Sequence, residues 1–313
     1  MLKIGSEITA LTNTTFTSGI QRTAVETHRH LDYMLGEDTD FSGVVIDPNF
    51  KSDNYRSNSY LKSDVLLNRP ILSLEESRID LLIQIDGGTN SHSPKLFRYR
   101  RENNLKVISL IYDLIPISHP QYFPDFPGRN FYKIYIQSLL RVSDVLLFTS
   151  RDVLDRFNEL NWNFNGRKEV IHLGRHHEGV AFPKPNANEF DLLYVSTIEP
   201  RKGHMLLLRA FNLLLNEGID STLTLVGRSG WNNTDIVEEI LNHPEFGGRL
   251  KWIQACDEVR LRKIYASTSI SIAPSEIEGF GLNIEEALSQ NHKIAARDIK
   301  VFRERPNVNI RYF

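Results

Sequence analysis

Residues 269–288 read SISIAPSEIEGFGLNIEEAL. The run Ser269 to Ala273 is short and apolar, the pattern of a buried strand. A polar turn with Glu276 and Glu278 follows, then Gly279-Phe280-Gly281. From Leu282 the spacing of Leu282, Glu285, Glu286 and Leu288 is helical. Strand, glycine-bearing turn and helix start, in that order, leave backbone N–H groups without intrahelical partners, where they can hold an anion. The two glycines allow the backbone to come close to a ligand. Glu278 sits on the turn and Glu286 about one turn inside the helix, so both can border one crevice. A site that grips a diphosphate with N–H groups and sugar hydroxyls with carboxylates has these parts. An ordinary helix behind two solvated acids has them as well.

Outward from this stretch the same grammar repeats. Leu2–Ile8 alternates enough for a first strand, and near-continuous apolar runs at Phe41–Asp47, Ile79–Asp86 and Lys106–Ile115, with Asp144–Thr149 and Lys168–Leu173 after them, predict strands of a parallel sheet covered on both faces. Phe190–Ser196, Ser221–Val226, Leu250–Ala255 and, as the last strand, Lys293–Ala296 predict a second set. Helical segments alternate with them. One, after Gly203, carries an expected apolar stripe of Leu206, Leu207, Ala210, Phe211 and Leu214. Asp257 is placed to cap another that runs through Tyr265. This alternation means an α/β fold of doubly wound parallel sheets. The chain has 313 residues, enough for two domains. The Phe182-Pro183-Lys184-Pro185 stretch reads as the linker, giving domains of 1–183 and 184–313. Residues 51–69, polar and serine-rich, read as a loop.

Composition narrows the function classes. Hydrophobic residues make up 41% and charged residues 24% of the chain, with a net charge of −2. Nothing there draws the protein to nucleic acid. Cys256 is the single cysteine, which excludes an intramolecular disulfide and a cysteine metal site. The N-terminal MLKIGSEITAL lacks the apolar core of a signal peptide, and no run approaches the ~20 apolar residues of a spanning helix. A cytoplasmic protein is expected. No G-x-G-x-x-G opens a helix after a strand and no G-x-x-x-x-G-K-[ST] is present, which argues against nicotinamide and P-loop enzymes. Asp38-Thr39-Asp40, the one D-x-D, lies in an acidic turn, so no metal site is expected.

The stretch Glu278–Ala287, E-G-F-G-L-x-x-x-E-A, resembles the E-x7-E signature of retaining GT-B glycosyltransferases of family 4, the group with bacterial polysaccharide mannosyl- and rhamnosyltransferases. The resemblance continues through Ser196–His204 (STIEPRKGH), Leu225–Trp231 (LVGRSGW) and Tyr265, and covers the chain from about Ile4 onward, most strongly in its second half. Asn283 stands where the family usually has proline. The resemblance implies a GT-B architecture, two Rossmann-like domains facing each other across a cleft. The first would be the acceptor side and the second the nucleotide-sugar side. It also implies a metal-independent hexosyl- or deoxyhexosyltransferase in surface polysaccharide synthesis, with a nucleoside diphosphate sugar as donor substrate, no further cofactor, and a glycan or lipid-linked acceptor. A catalytically weak or inactive sugar-nucleotide-binding homologue is the alternative. Family members continue past the position of Phe313 with a further strand-helix portion, so the second domain is expected to be short or truncated.

Residue by residue, the resemblance assigns Arg201 and Lys202 to the donor diphosphate, the Gly279-Phe280-Gly281 turn to the same phosphates, Glu278 to the donor sugar and Glu286 to the ribose. Gly19 and Arg22, in a Thr17–Arg22 loop before a helix, match the first-domain loop that approaches donor and acceptor, and Arg228 follows the strand Ser221–Val226. Asp113, His119 and the Gly87–His92 turn end first-domain strands, where open α/β sheets gather ligands. Many relatives have a His-Asp pair where this chain has Tyr112-Asp113, which leaves His119 as the substitute. The amphipathic Arg129–Arg141 segment and the patch of Lys95, Arg98, Arg100 and Arg101 suit peripheral contact with the inner face of a membrane.

Overall fold

The computed structural model describes residues 2–9, 19–36, 39–46, 70–85, 93–124, 128–173, 190–305 and 309–313. The chain divides into two compact units, Met1–Pro120 with Pro124–His172, and Gln121–Phe123 with Leu173–Phe313. The expected 183/184 boundary lies outside the described residues.

In the first unit, β1 (Lys3–Glu7), α1 (Gly19–Leu35), β2 (Asp40–Val45), β3 (Ile71–Ser73), α2 (Leu74–Ser77), β4 (Leu81–Gln84) and α3 (Ser93–Asn103) precede β5 (Lys106–Ile111) and α4 (Ile115–Ser118). Then come α5 (Gly128–Val142), β6 (Val145–Phe148), α6 (Arg151–Glu159) and β7 (Arg167–Val170). The seven strands form one parallel sheet in the order β3-β2-β1-β4-β5-β6-β7. The run expected as a strand over Lys106–Ile115 ends at Ile111. Asp113 Oδ1 accepts the Ile115 N–H at 2.9 Å, and Pro116 sits in the first turn of α4, so the chain turns helical there. β3 was not expected from the sequence; its three residues extend the sheet by one edge strand.

The second unit runs β8 (Asp191–Val195), α7 (His204–Asn216), β9 (Thr222–Val226), α8 (Thr234–Leu241), β10 (Leu250–Ile253), α9 (Glu258–Ala266), β11 (Ile270–Ala273), α10 (Leu282–Ser289), β12 (Lys293–Ala296), α11 (Lys300–Arg303) and β13 (Ile310–Tyr312). Its parallel sheet has the order β10-β9-β8-β11-β12-β13. Lys293–Ala296 is therefore not the last strand: β13 pairs alongside it, Ile294 opposite Ile310.

Side chains of β8 alternate between the two faces. Leu192 and Tyr194 pack with Leu207, Leu208 and Phe211 of α7 on one face. Leu193 packs with Ile284, Ala287 and Phe302 on the other. Each fully buried side chain of this size contributes ~1.5–3 kcal/mol. The α7 stripe is rotated from its expected setting. His204, buried and 4.9 Å from the Tyr194 ring, begins the inward face, and Leu207, Leu208 and Phe211 follow at helical spacing, leaving Leu206 43% exposed.

The strand order reverses between β8 and β11. Consecutive strands spread to one side of β8 through β9 and β10, and to the other side of β11 through β12 and β13. Ligands of such sheets bind outside the carboxyl ends of the strands that flank the reversal. The loops leaving those two ends are 196–203 and 274–281.

Candidate active site

The two loops are joined to each other. The Glu276 N–H donates to the Arg201 carbonyl at 2.8 Å. Gly203, at φ +72°, lies so close to the Pro274 main chain that a Cβ there would sit 3.0 Å from the Pro274 carbonyl carbon. Pro200 opens a single 3₁₀ turn, Pro200–Lys202, which sets Arg201 and Lys202 in succession. On the other loop Gly281, at φ +88°, starts α10, and a Cβ there would lie 2.6 Å from the Phe302 ring.

Four charges meet where these loops touch. Lys202 Nζ is 2.6 Å from Glu278 Oε1. Arg201 Nη1 is 3.0 Å from Glu278 Oε2, and Arg201 Nη2 is 2.7 Å from Glu199 Oε1. Arg201 Nη1 also donates to the Ile277 carbonyl at 3.0 Å. The side chains of Glu278 and Glu199 are 8% and 1% exposed, so these are largely desolvated pairs and stand only because both signs are present. Burial alone would push the Glu278 carboxyl up; Lys202 and Arg201, with hydrogen bonds from Lys202 and Ser275, outweigh it and hold it down to about 2. Both cations at the start of α7 are thus paired with carboxylates.

A polar layer lies beneath. The Tyr194 hydroxyl donates to the Lys202 carbonyl at 2.8 Å and lies 3.0 Å from Ser275 Oγ. Burial, with the Glu278 charge nearby, pushes its phenol well above the usual range. His204 Nε2 lies 3.2 Å from Ser196 Oγ. Burial, reinforced by the Lys202 charge, pushes its imidazole down to about 3, so His204 is neutral at ordinary pH.

Glu286 lies five residues into α10, half-buried, and receives the Tyr265 hydroxyl at 3.4 Å. Its neighbour Glu285 points elsewhere: it is buried and ion-paired with Arg305, whose Nη2 also donates to the Phe280 carbonyl and whose Nη1 donates to the Val301 carbonyl at 2.9 Å. The loop after β9 is zipped to the loop after β8, Ile198 N–H to Arg228 carbonyl at 2.9 Å and Gly230 N–H to Ile198 carbonyl at 3.0 Å, with the Arg228 side chain exposed. Glu276 binds Arg297 at 3.3 Å and receives the Tyr122 hydroxyl.

Among the expected second-unit residues, Arg201, Lys202 and Glu278 come into direct contact, and Gly279, Phe280 and Gly281 connect them to α10. In the first unit, Asp113 Oδ1 accepts the Ile115 N–H, Tyr132 donates its hydroxyl to the Asp113 carbonyl at 2.6 Å, and His119 Nδ1 lies 2.8 Å from Ser118 Oγ. Burial and the Arg156 charge lower the His119 imidazole, against Asp152 and Glu159. Gly19 is the first residue of α1; the Arg22 side chain and residues 86–92 lie outside the described residues. In the basic patch, Lys95 pairs with Glu75 at 3.0 Å and Arg100 with Asp144 at 2.8 Å, while Arg98 and Arg101 are exposed. Glu199, Tyr194, Ser275 and Arg305 carried no assignment from the sequence. Glu199 had a signal, an acid directly before Pro-Arg-Lys.

Residues 180–305 match the family model "Glycosyl transferases group 1". The match falls within the second unit. Serotype-specific mannosyltransferase WbdA of Escherichia coli is 29% identical over 225 residues, 65% of this chain and 27% of WbdA. O-antigen chain mannosyltransferase B of Escherichia coli is 34% identical over 211 residues, 63% of this chain and 54% of that protein. The chain thus spans about a quarter of one relative's length and about half of the other's. Among solved structures, Anabaena Alr3699/HepE in complex with UDP matches with a TM-score of 0.68 at 14% identity, over 100% of this chain and 85% of that one. Sucrose-phosphate synthase (tll1590) from Thermosynechococcus elongatus matches with a TM-score of 0.63 at 15% identity, over 96% and 82%. At such identities the likeness is one of fold, and the fold is GT-B. Among the described residues, no helix is long and apolar enough to cross a membrane, and no group of three His, Cys, Asp or Glu residues could hold a metal ion.

Proposed function

We propose that the protein transfers a sugar from a nucleoside diphosphate donor to a glycan or lipid-linked acceptor during surface polysaccharide synthesis. The observation that carries this reading is the Glu278–Arg201–Lys202 cluster, built at the strand-order reversal of a group 1 domain. The mannosyltransferases among its relatives support a hexosyl donor, and the UDP held by its structural neighbour supports a nucleoside diphosphate.

Breaking the anomeric C–O bond develops negative charge on the departing diphosphate and positive charge on the sugar ring. Preorganised cations and N–H dipoles at the leaving group stabilise that state most. Arg201 offers a planar fork. Lys202 offers a compact ammonium with three donors, able to share a carboxylate and a phosphate oxygen. The turn Gly279–Gly281 supplies dipoles at the start of α10. Glu278, ionised at every ordinary pH, faces the cationic ring and the sugar hydroxyls, and Glu286 takes the ribose hydroxyls. In this reading the anomeric configuration is retained and the two basic residues meet the phosphate charge without a divalent ion. Phe97, Phe131 and Ile134, 47%, 60% and 54% exposed on α3 and α5 beside Arg98 and Arg101, rest on anionic headgroups at the inner face of a membrane.

Incubation with a panel of nucleotide sugars and extracted lipid-linked acceptors, read by mass spectrometry, tests the reaction. A transferred hexose of unchanged anomeric configuration by NMR, formed in excess chelator, is expected. Tight donor binding with no product would show a sugar-nucleotide binder instead, and loss of transfer restored by Mn²⁺ would overturn the metal-independent step.

A further inference from the structure

Behind the Gly279–Gly281 turn, on α11's side, Arg305 uses all three guanidinium nitrogens. Nε binds Glu285, Nη1 the Val301 carbonyl at 2.9 Å, and Nη2 the Phe280 carbonyl, while Cζ lies 4.0 Å from the centre of the Phe280 ring. Arg305 and Glu285 are each 7% exposed and Phe280 is 5% exposed. A buried charge pair contributes little net stability against apolar residues of the same volume, so its retention calls for another reason. The Phe280 carbonyl suggests one. A trans peptide is planar, with its C=O and N–H pointing in opposite directions. Holding the Phe280 carbonyl on Arg305 therefore turns the Gly281 N–H away from Arg305, outward from the buried side of the turn. Gly281 has no Cβ to fix its own rotation, and at φ +88° it depends on its surroundings to hold that peptide plane. Phe302 fills the space where a Cβ would be and blocks the other side.

We infer that Arg305, anchored by Glu285, is a positioning residue that fixes the Phe280–Gly281 peptide so that its N–H faces the donor diphosphate. This rests on the donor site proposed above. Arg305 touches neither sugar nor phosphate. A purely structural brace would matter for folding and leave ligand discrimination alone. A positioning brace sets how much tighter the diphosphate binds than the bare nucleoside.

The test separates the two. UDP, GDP, uridine and guanosine are titrated calorimetrically against wild type, Arg305→Lys, and the double variant Glu285→Leu/Arg305→Met. The double variant removes both charges together, so no buried carboxylate is left unpaired and the fold survives. The expected result is a double variant that melts within a few degrees of wild type yet loses about tenfold or more of its nucleoside diphosphate affinity, with nucleoside affinity within about twofold. Arg305→Lys, which keeps the charge but cannot reach three acceptors, falls between. With donor sugar, KM rises and kcat falls together. A stable double variant with the wild-type ratio of diphosphate to nucleoside affinity overturns the positioning role and leaves the donor site standing. Wild type that binds neither UDP nor GDP overturns both.

Discussion

Glu278 and Glu285 lie seven residues apart on either side of one helix start, both buried and both paired with cations, yet they are held in different ways. Glu285 is paired with the Arg305 guanidinium, which is locked by two backbone carbonyls and an aromatic ring. Glu278 has two cations from a loop on the far side of the strand reversal, and one is a flexible ammonium. With Glu199 included, the Glu278 cluster balances two carboxylates against two cations, and that balance lets desolvated charges stand at the carboxyl ends of β8 and β11. A saturated guanidinium fixes backbone. A shared ammonium can turn toward a second anion.

Breaking the locked pair should have the largest effect. Arg305→Ala leaves Glu285 buried without its partner and should cost on the order of 3–5 kcal/mol of stability. Urea unfolding followed by circular dichroism measures it. A loss under about 1 kcal/mol would mean that Glu285 reaches water and that the contrast with Glu278 is false.

The shared pair should fail in activity instead. Lys202→Ala should lower kcat/KM by roughly a hundredfold or more, the loss of one desolvated, charge-assisted contact worth about 2–4 kcal/mol to the transition state. It should also weaken nucleoside diphosphate binding more than nucleoside binding. Equal losses for both ligands would place Lys202 away from the phosphates.

Acid should probe the floor beneath Lys202. His204 titrates near 6.5 in the unfolded chain but only at about 3 in the fold, because burial and Lys202 oppose its charge. Between those values the unfolded state binds the extra proton, so stability falls as pH falls. By pH 5 the wild type should have lost about 2 kcal/mol that His204→Gln keeps. Glu278 acts in a lower window: its carboxylate contributes stability above 4.5, lost as pH drops toward about 2. Parallel stability curves for wild type and His204→Gln from pH 7 to 5 would show that the imidazole is solvated.

Much of this was legible in the sequence because each central strand is an apolar run several residues long. β3 and β13 were not: three residues each at a sheet edge carry too little pattern. The α7 stripe was misread because consecutive leucines fit two settings, and the choice is made by His204 packing on Tyr194. The glycine turn, Glu278, Arg201 and Lys202 stood out as separate motifs. Their pairing did not, since 76 residues separate Lys202 from Glu278 and only the strand order brings them together. Arg305 sits in an Arg-Glu-Arg run that reads as surface, and nothing in its spacing points to Phe280.

The smallest effect expected here is on Glu286, and it sharpens the comparison most finely, since Glu286 adjoins the locked Glu285 in sequence yet belongs with Glu278 in function. It is half-buried and receives the Tyr265 hydroxyl at 3.4 Å. A carboxylate that binds ribose hydroxyls makes the same contacts in the ground state and the transition state. Removing uniform binding raises KM and leaves kcat alone. Glu286→Ala should therefore raise donor KM by about tenfold, one charge-assisted hydrogen bond, with kcat nearly unchanged. Glu278→Ala should do the reverse and lower kcat, because the charge it faces exists only as the sugar departs. Tyr265→Phe should reproduce a fraction of the Glu286→Ala effect by freeing the carboxylate's orientation. Steady-state kinetics over donor concentration distinguish these patterns. If Glu286→Ala lowers kcat as far as Glu278→Ala does, the two carboxylates share one role and the division between ribose and reacting sugar is wrong.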